Sequence, residues 1–200
     1  GPLLGLHLQK LFDSEENARF PYYSPDDRFV VFTTDYDGDE DIKIIDTENT
    51  AMRVSVTNNS ARDSYPVWNT VYPFEIINQD LKIESKIAFV SERNYHKGIY
   101  YVYLSRKSES DIRVVKKSGE DIGSDPDSAA FEITNKDVEG DYPCFTGDGK
   151  KVVFEYFNGE MEILKRYDYE LDESTDMELP GRAKSPAGMK NMIANFKAEN

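Results

Sequence analysis

Apolar residues fall in short runs along this chain, separated by polar turns, and the runs have the length and composition of strands. Phe29-Val30-Val31-Phe32 is β-branched and aromatic throughout, as a buried strand should be. Ahead of it, Ser24-Pro25-Asp26-Asp27 has turn chemistry, because proline presets φ and aspartate bonds the neighbouring backbone. Behind it, Asp37-Gly38 supplies the positive-φ positions of a tight hairpin, and Ile42, Ile44 and Ile45 begin a returning strand. Phe20 to Asp46 therefore reads as a lead-in segment, a turn, a strand, a hairpin and a second strand.

The same unit recurs. Aromatic-Pro-x-aromatic appears as Phe20-Pro21-Tyr22-Tyr23, Tyr65-Pro66-Val67-Trp68 and Tyr142-Pro143-Cys144-Phe145. Thr146-Gly147-Asp148-Gly149-Lys150 repeats the turn, and Val152-Val153-Phe154 and Ile87-Ala88-Phe89-Val90 repeat the strand. Ten residues upstream of each proline stands an apolar residue closing a short strand: Leu11, Val56 and Ile133. Thr57-Asn58 and Thr134-Asn135 follow two of them. A repeat of this period points to a stacked architecture of similar units.

These residues resemble the TolB-type β-propeller repeat, a relative of the WD40 repeat. Its pattern runs from Thr-Asn through Pro-x-Trp-Ser-Pro-Asp-Gly-Lys and an apolar strand to Asp-x-Asp-Gly. Phe20 to Asp46 fits best; Tyr142 to Leu164 keeps Pro143, Asp148, Gly149 and Lys150. The middle copy lacks Ser-Pro-Asp-Gly after Trp68, carries an insertion over Val71 to Leu81, and turns at Asn94 to Gly98. The resemblance implies an all-β fold of antiparallel blades. About three blades are expected over residues 13–58, 59–135 and 136–179, with a strand at 6–12 from a preceding or closing blade. Closed single-chain propellers have about four to eight blades, so the expectation is a partial or small propeller whose edges are covered by insertions or by a second copy. A homodimer completing a ring is one such arrangement.

Within the blades, strands are expected near Tyr22, Phe29–Thr33, Ile42–Asp46, Arg53–Val56, Ile87–Ser91, Ile99–Leu104, Val152–Tyr156 and Glu160–Tyr167. Phe131–Thr134 should close the second blade and Asp176–Leu179 the third. Arg106 to Asp127 reads as a charged excursion containing one strand-like run, Ile112–Val115. Tyr23, Trp68 and Phe145 are equivalent positions, expected as core aromatics between sheets. Gly1-Pro2 has the form of a scar left by a tag-removing protease, so residues 1–5 are set aside as lead-in. Residues 180–200 form a basic tail in which Met189, Met192, Ile193 and Phe196 share one face of a short helix.

Composition narrows the function. The formal net charge of −14 opposes nucleic-acid binding and adhesion to anionic lipid, both of which need a cationic footprint, and favours a basic partner if any. No run of residues is long and apolar enough to span a membrane as a helix. Cys144 is the single cysteine, expected as a buried structural thiol. The only histidines, His7 and His96, stand without a Gly-x-Ser-x-Gly segment, which leaves no nucleophile elbow to assign. His96 is expected as a solvated turn residue. Asp35, Asp37, Asp39 and Asp41 alternate around the first hairpin. Oxygen ligands so spaced suit Ca²⁺, although the hairpin is not an EF-hand loop. Ca²⁺ is accordingly the one cofactor considered.

The expected function is non-catalytic: a protein- or peptide-binding, scaffolding module of a larger cell-envelope or periplasmic protein or complex. Contacts are expected at the Asp35–Asp41 hairpin, the 106–127 excursion and the middle-blade turn at Tyr95, His96 and Lys97. The alternative that the resemblance implies is a substrate-gating domain of a prolyl-oligopeptidase-like or tricorn-like serine peptidase.

Overall fold

Strands form where the apolar runs fall, and they assemble as three successive antiparallel meanders. The structure, a computed structural model, describes residues 10–11, 17–69, 85–108, 111–116, 122, 125–135, 139–157, 162–169 and 171–177. The first sheet is β1 (Ala18–Tyr23), β2 (Phe29–Thr34), β3 (Asp41–Asp46) and β4 (Arg53–Ser55), in that order. The second is β5 (Asp63–Trp68), β6 (Ser85–Ser91), β7 (Gly98–Ser108) and β8 (Asp111–Val115), with β9 (Phe131–Glu132) also paired to β7. The third is β10 (Glu139–Phe145), β11 (Lys151–Phe157), β12 (Glu162–Asp168) and β13 (Glu173–Asp176).

Each first strand carries the same irregularity at the repeated motif. Arg19 pairs with Thr33 and Tyr22 with Val31; Ser64 pairs with Val90 and Val67 with Ala88; Asp141 pairs with Glu155 and Cys144 with Val153. Each time the inner strand holds one residue more than its partner, which is a β-bulge. The aromatic before proline has left-handed backbone in all three copies: φ is +52° at Phe20, +53° at Tyr65 and +48° at Tyr142. Proline fits here because each of these strands lies at the edge of its sheet and a bulge needs no ladder donor at that point.

The bulge sets which face the last aromatic of the motif takes. Trp68 lies opposite Ile87 and packs with Phe29, Val31, Ile42 and Ile44 of the first blade. Its ring stacks on Phe29 at 6.3 Å, and its Nε1 donates to Ser85 Oγ at 2.7 Å. Phe145 lies opposite Val152 and packs with Ala88, Val90, Ile99 and Tyr101 of the second blade. Tyr23 occupies the same register, opposite Val30, but it is 55% exposed. The expectation that all three are core aromatics is corrected there: among the described residues no blade lies against Tyr23. Val30, Phe32 and Ile45 on that face are buried, with Leu11 packed on them.

The turns repeat as closely as the bulges. Ser24 Oγ accepts from Phe29 N at 2.9 Å and donates to Asp26 Oδ1 at 2.5 Å; Thr146 Oγ1 accepts from Lys151 N at 3.2 Å and donates to Asp148 Oδ1 at 2.6 Å. Asp27 and Gly149 provide the positive φ in the two copies.

Three expectations need adjustment. Ile112–Val115 belongs to the second blade's fourth strand rather than to a solvated excursion. Its charged residues alternate with Ile112, Val114 and Val115, which are buried. Of Phe131–Thr134 only Phe131–Glu132 is strand, lying beside Tyr100 and Tyr101 near the start of β7. The third blade closes at Glu173–Asp176, earlier than Asp176–Leu179. The Val71–Leu81 insertion, the tail helix and the 6–12 strand, apart from Lys10 and Leu11, lie outside the described residues. Cys144 is buried with Val153 and Leu164.

Trp68→Ala should cost about 3–5 kcal/mol by urea unfolding, because it empties the gap between two blades. Tyr23→Ala, at the same repeat position but exposed, should stay within about 0.5 kcal/mol.

Candidate functional site

Strand direction gathers one set of loops at one end of the molecule. The beginnings of the first and third strands of each blade, the turn between its second and third, and the link from the preceding blade all lie at that end. The repeated threonine organises it. Thr57 Oγ1 accepts from Ile42 N at 2.9 Å, and Thr134 Oγ1 accepts from Ile99 N at 3.0 Å. Each hydroxyl thus caps the start of a third strand from the link to the next blade. At the residue before, the first blade has Asp41, whose Oδ1 accepts from the same Thr57 hydroxyl at 3.0 Å. The second has Gly98, where a Cβ would stand 2.6 Å from Thr134 Oγ1, so only glycine fits.

Between the first two blades this end is acidic and largely enclosed. Asp41 and Asp63 are both buried. Burial pushes the Asp41 carboxyl up to about 6 despite the Thr57 bond, and the Asp39 and Asp63 charges add to the effect. Burial also raises Asp63, against the opposing pull of Arg93. Arg93 Nη2 bridges Asp63 Oδ2 at 3.0 Å and Asp127 Oδ1 at 3.3 Å, while its guanidinium lies 4.8 Å from the Tyr100 ring centre. Asp127 stands in a 3₁₀ turn, Pro126–Ala129, and also accepts from Asn58 N at 3.0 Å and Asn59 Nδ2 at 2.7 Å.

The inner strands add a line of aromatic rings. Phe20 and Tyr65 have centroids 4.1 Å apart; Tyr65 and Tyr142 follow at 4.9 Å, edge to face. Burial and a hydrogen bond with Tyr142 push the Tyr65 hydroxyl up to about 12. These are the three left-handed residues that precede proline, and Phe20 is 37% exposed. Bulky side chains rarely hold this backbone; each instance costs about 1–3 kcal/mol and must be over-determined by its surroundings.

At the Tyr142 end the line meets a groove of about 380 Å³ on the third blade, where Asp141, Glu155 and Phe157 share the sheet face turned away from the second blade, and Tyr142, Tyr156 and Lys97 of the second blade's turn also line it. Lys97 Nζ bonds Asp141 Oδ2, and Gly140 N donates to the Lys97 carbonyl at 3.0 Å. The approach is so close that a Cβ on Gly140 would come within 2.7 Å of Ile99 Cγ1.

The residues put forward from sequence fall as follows. Tyr95 is fully exposed with φ +63°, next to Asn94 at +61°. His96 is not the solvated turn residue expected: its side chain is mostly enclosed, and Nε2 donates to Glu132 Oε1 at 2.6 Å. Lys97 reaches the groove. The aspartates considered for Ca²⁺ do not converge. Asp35 accepts from Asn17, Asp37 pairs with Lys43 at 2.9 Å, and Asp41 turns inward to Thr57. Among the described residues no three His, Cys, Asp or Glu side chains gather as a metal group. The groove and the aromatic line were missed, because they combine residues of different blades; the recurring aromatic before proline was the one available signal.

Consecutive four-stranded meanders, stacked face to face with their first strands side by side, are blades of a β-propeller, and here they are TolB-like. Among solved structures the chain is similar to a TolB from Agrobacterium tumefaciens, at 16% identity and a TM-score of 0.53, over 82% of this chain and 49% of that one. It is also similar to a puromycin-hydrolyzing peptidase of Mycobacterium tuberculosis, at 15% identity and a TM-score of 0.55, over 86% of this chain and 24% of that one. The chain thus spans about half the length of the first and a quarter of the second. No family model and no curated protein matches the sequence. Among the described residues no helix is long and apolar enough to cross a membrane.

The raised Asp41 makes the folded state bind more protons than the unfolded chain between 3.8 and about 6, so its contribution to stability falls as pH rises through that window. Asp41→Asn should therefore gain about 2–8 °C in Tm over the parent at pH 7.5 and lose that advantage towards pH 4. A pH-independent difference in scanning calorimetry would contradict the assignment.

Proposed function

We propose that the chain is a non-catalytic protein- or peptide-binding module of a larger cell-envelope or periplasmic protein or complex. The observation that carries this reading is the line Phe20–Tyr65–Tyr142, held in left-handed backbone at all three blades and running into the groove beside Lys97. Strained backbone persists where surroundings or function demand it. An aromatic surface ending in a polar cleft offers the combination of rigid apolar area and orienting groups that peptide recognition uses. The exposed Tyr95 stands on the same turn as Lys97. The similarity to TolB supports the fold on which this surface is carried.

A second reading, the substrate-gating domain of a serine peptidase, is supported by the comparable similarity to the Mycobacterium tuberculosis peptidase. It requires a Gly-x-Ser-x-Gly segment in the same polypeptide, and deleting the propeller should then widen the range of substrate sizes cleaved.

For the leading reading, phage-display selection against the purified chain should enrich peptides that bind saturably. Tyr142→Ala should weaken them by about tenfold. Failure to enrich any peptide, or binding unaffected by Tyr142→Ala and Tyr95→Ala alike, would count against it.

A further inference from the structure

We infer that the groove beside Lys97, at the start of the third blade's first strand, is a subsite for a basic side chain, lysine or arginine, of a bound peptide. This rests on the peptide-binding reading and specifies its chemistry. Among the described residues, four carboxylates, Glu139, Asp141, Glu155 and Glu162, line the groove together with one ammonium, that of Lys97. Three aromatic side chains, Tyr142, Tyr156 and Phe157, complete its walls, and Phe157 is 42% exposed. Carboxylates around aromatic rings suit a side chain with an apolar stem and a cationic head, because the stem covers ring surface while the head reaches the oxygens.

The chain's own cations already use this chemistry. Lys97 Nζ is bound by Asp141, and Lys165 Nζ lies 4.1 Å from the centroid of Tyr156. Asp141 is therefore engaged, but the groove keeps an acidic excess in Glu139 and Glu162, both exposed at its mouth. An acidic or phosphate-bearing occupant would meet an excess of like charge among the described lining. A purely apolar one would leave carboxylates facing it without compensation. The net charge of −14 acts in the same sense at longer range, favouring encounter with basic partners. The aromatic line leading away from Tyr142 would carry the neighbouring residues of the peptide, so the groove sets register as well as charge preference.

The test uses the ¹⁵N-labelled chain and short acetylated, amidated peptides that share one proline-containing sequence and differ only at a central residue: arginine, lysine, norleucine or glutamate. The arginine and lysine peptides should shift the amide resonances of Gly140, Tyr156 and Phe157 saturably, with norleucine and glutamate weaker by about tenfold or more. Replacing Glu139 and Glu162 together by glutamine should erase that preference while the remaining spectrum stays dispersed. If all four peptides shift these amides equally, or the basic ones perturb only residues elsewhere, the basic subsite is wrong while peptide binding stands. If no peptide moves any resonance, both readings fall.

Discussion

The arrangement of the three blades depends on one extra residue in each first strand. Side chains alternate along a strand, so inserting a residue reverses the face taken by everything after it. Here the insertion falls between the aromatic before proline and the aromatic two places after it. The first of the pair stays on the inner side, where Phe20, Tyr65 and Tyr142 touch in sequence. The second, Trp68 or Phe145, enters the gap facing the preceding blade. One motif thus joins neighbouring blades in two directions, and the left-handed residue is the cost of doing so within a single strand. Proline at the next position restricts the unfolded chain as well, which offsets part of that cost.

Around this spine, side chains do work that backbone ladders leave undone. Thr57 and Thr134 satisfy strand-end amides across the link to the next blade. Ser24 and Thr146 close equivalent turns through an aspartate two residues on. Arg106 ties the second blade to the first by donating to Asp26 and lying 5.1 Å from the Phe29 ring centre. Such bonds are specific about partner geometry, so they fix how the sheets stack where apolar packing alone would tolerate sliding.

Much of this architecture is legible in the sequence, and the reasons differ by element. The spacing of proline to tryptophan survives because the bulge leaves little freedom there. The Ser-Pro-Asp and Thr-Gly-Asp turns survive because each residue has a bonding duty. The β8 run shows as strand-like, but its place in the blade does not, since Asp111 and Arg113 give the segment the composition of a loop while alternate residues are buried. Tyr23 shows the opposite failure. Its position in the repeat is right, but burial depends on what stands beside the blade, which a local pattern does not contain. The groove is least legible of all: Lys97 and Glu162 are far apart in the chain, and nothing around either marks the other as a neighbour.

The contacts of Asp127 carry a mechanical implication. The 3₁₀ turn that holds it follows the second blade's fourth strand, yet it bonds Asn58 and Asn59 on the link leaving the first blade, and Ala129 packs into the core those two blades share. In a row of stacked units, cooperativity is set by how strongly each joins the next. This cross-brace adds to one junction and not to the other. Loss of the Asp127 contacts would therefore loosen the first two blades from each other, while the second and third stay joined by their shared core and by Lys97 on Asp141.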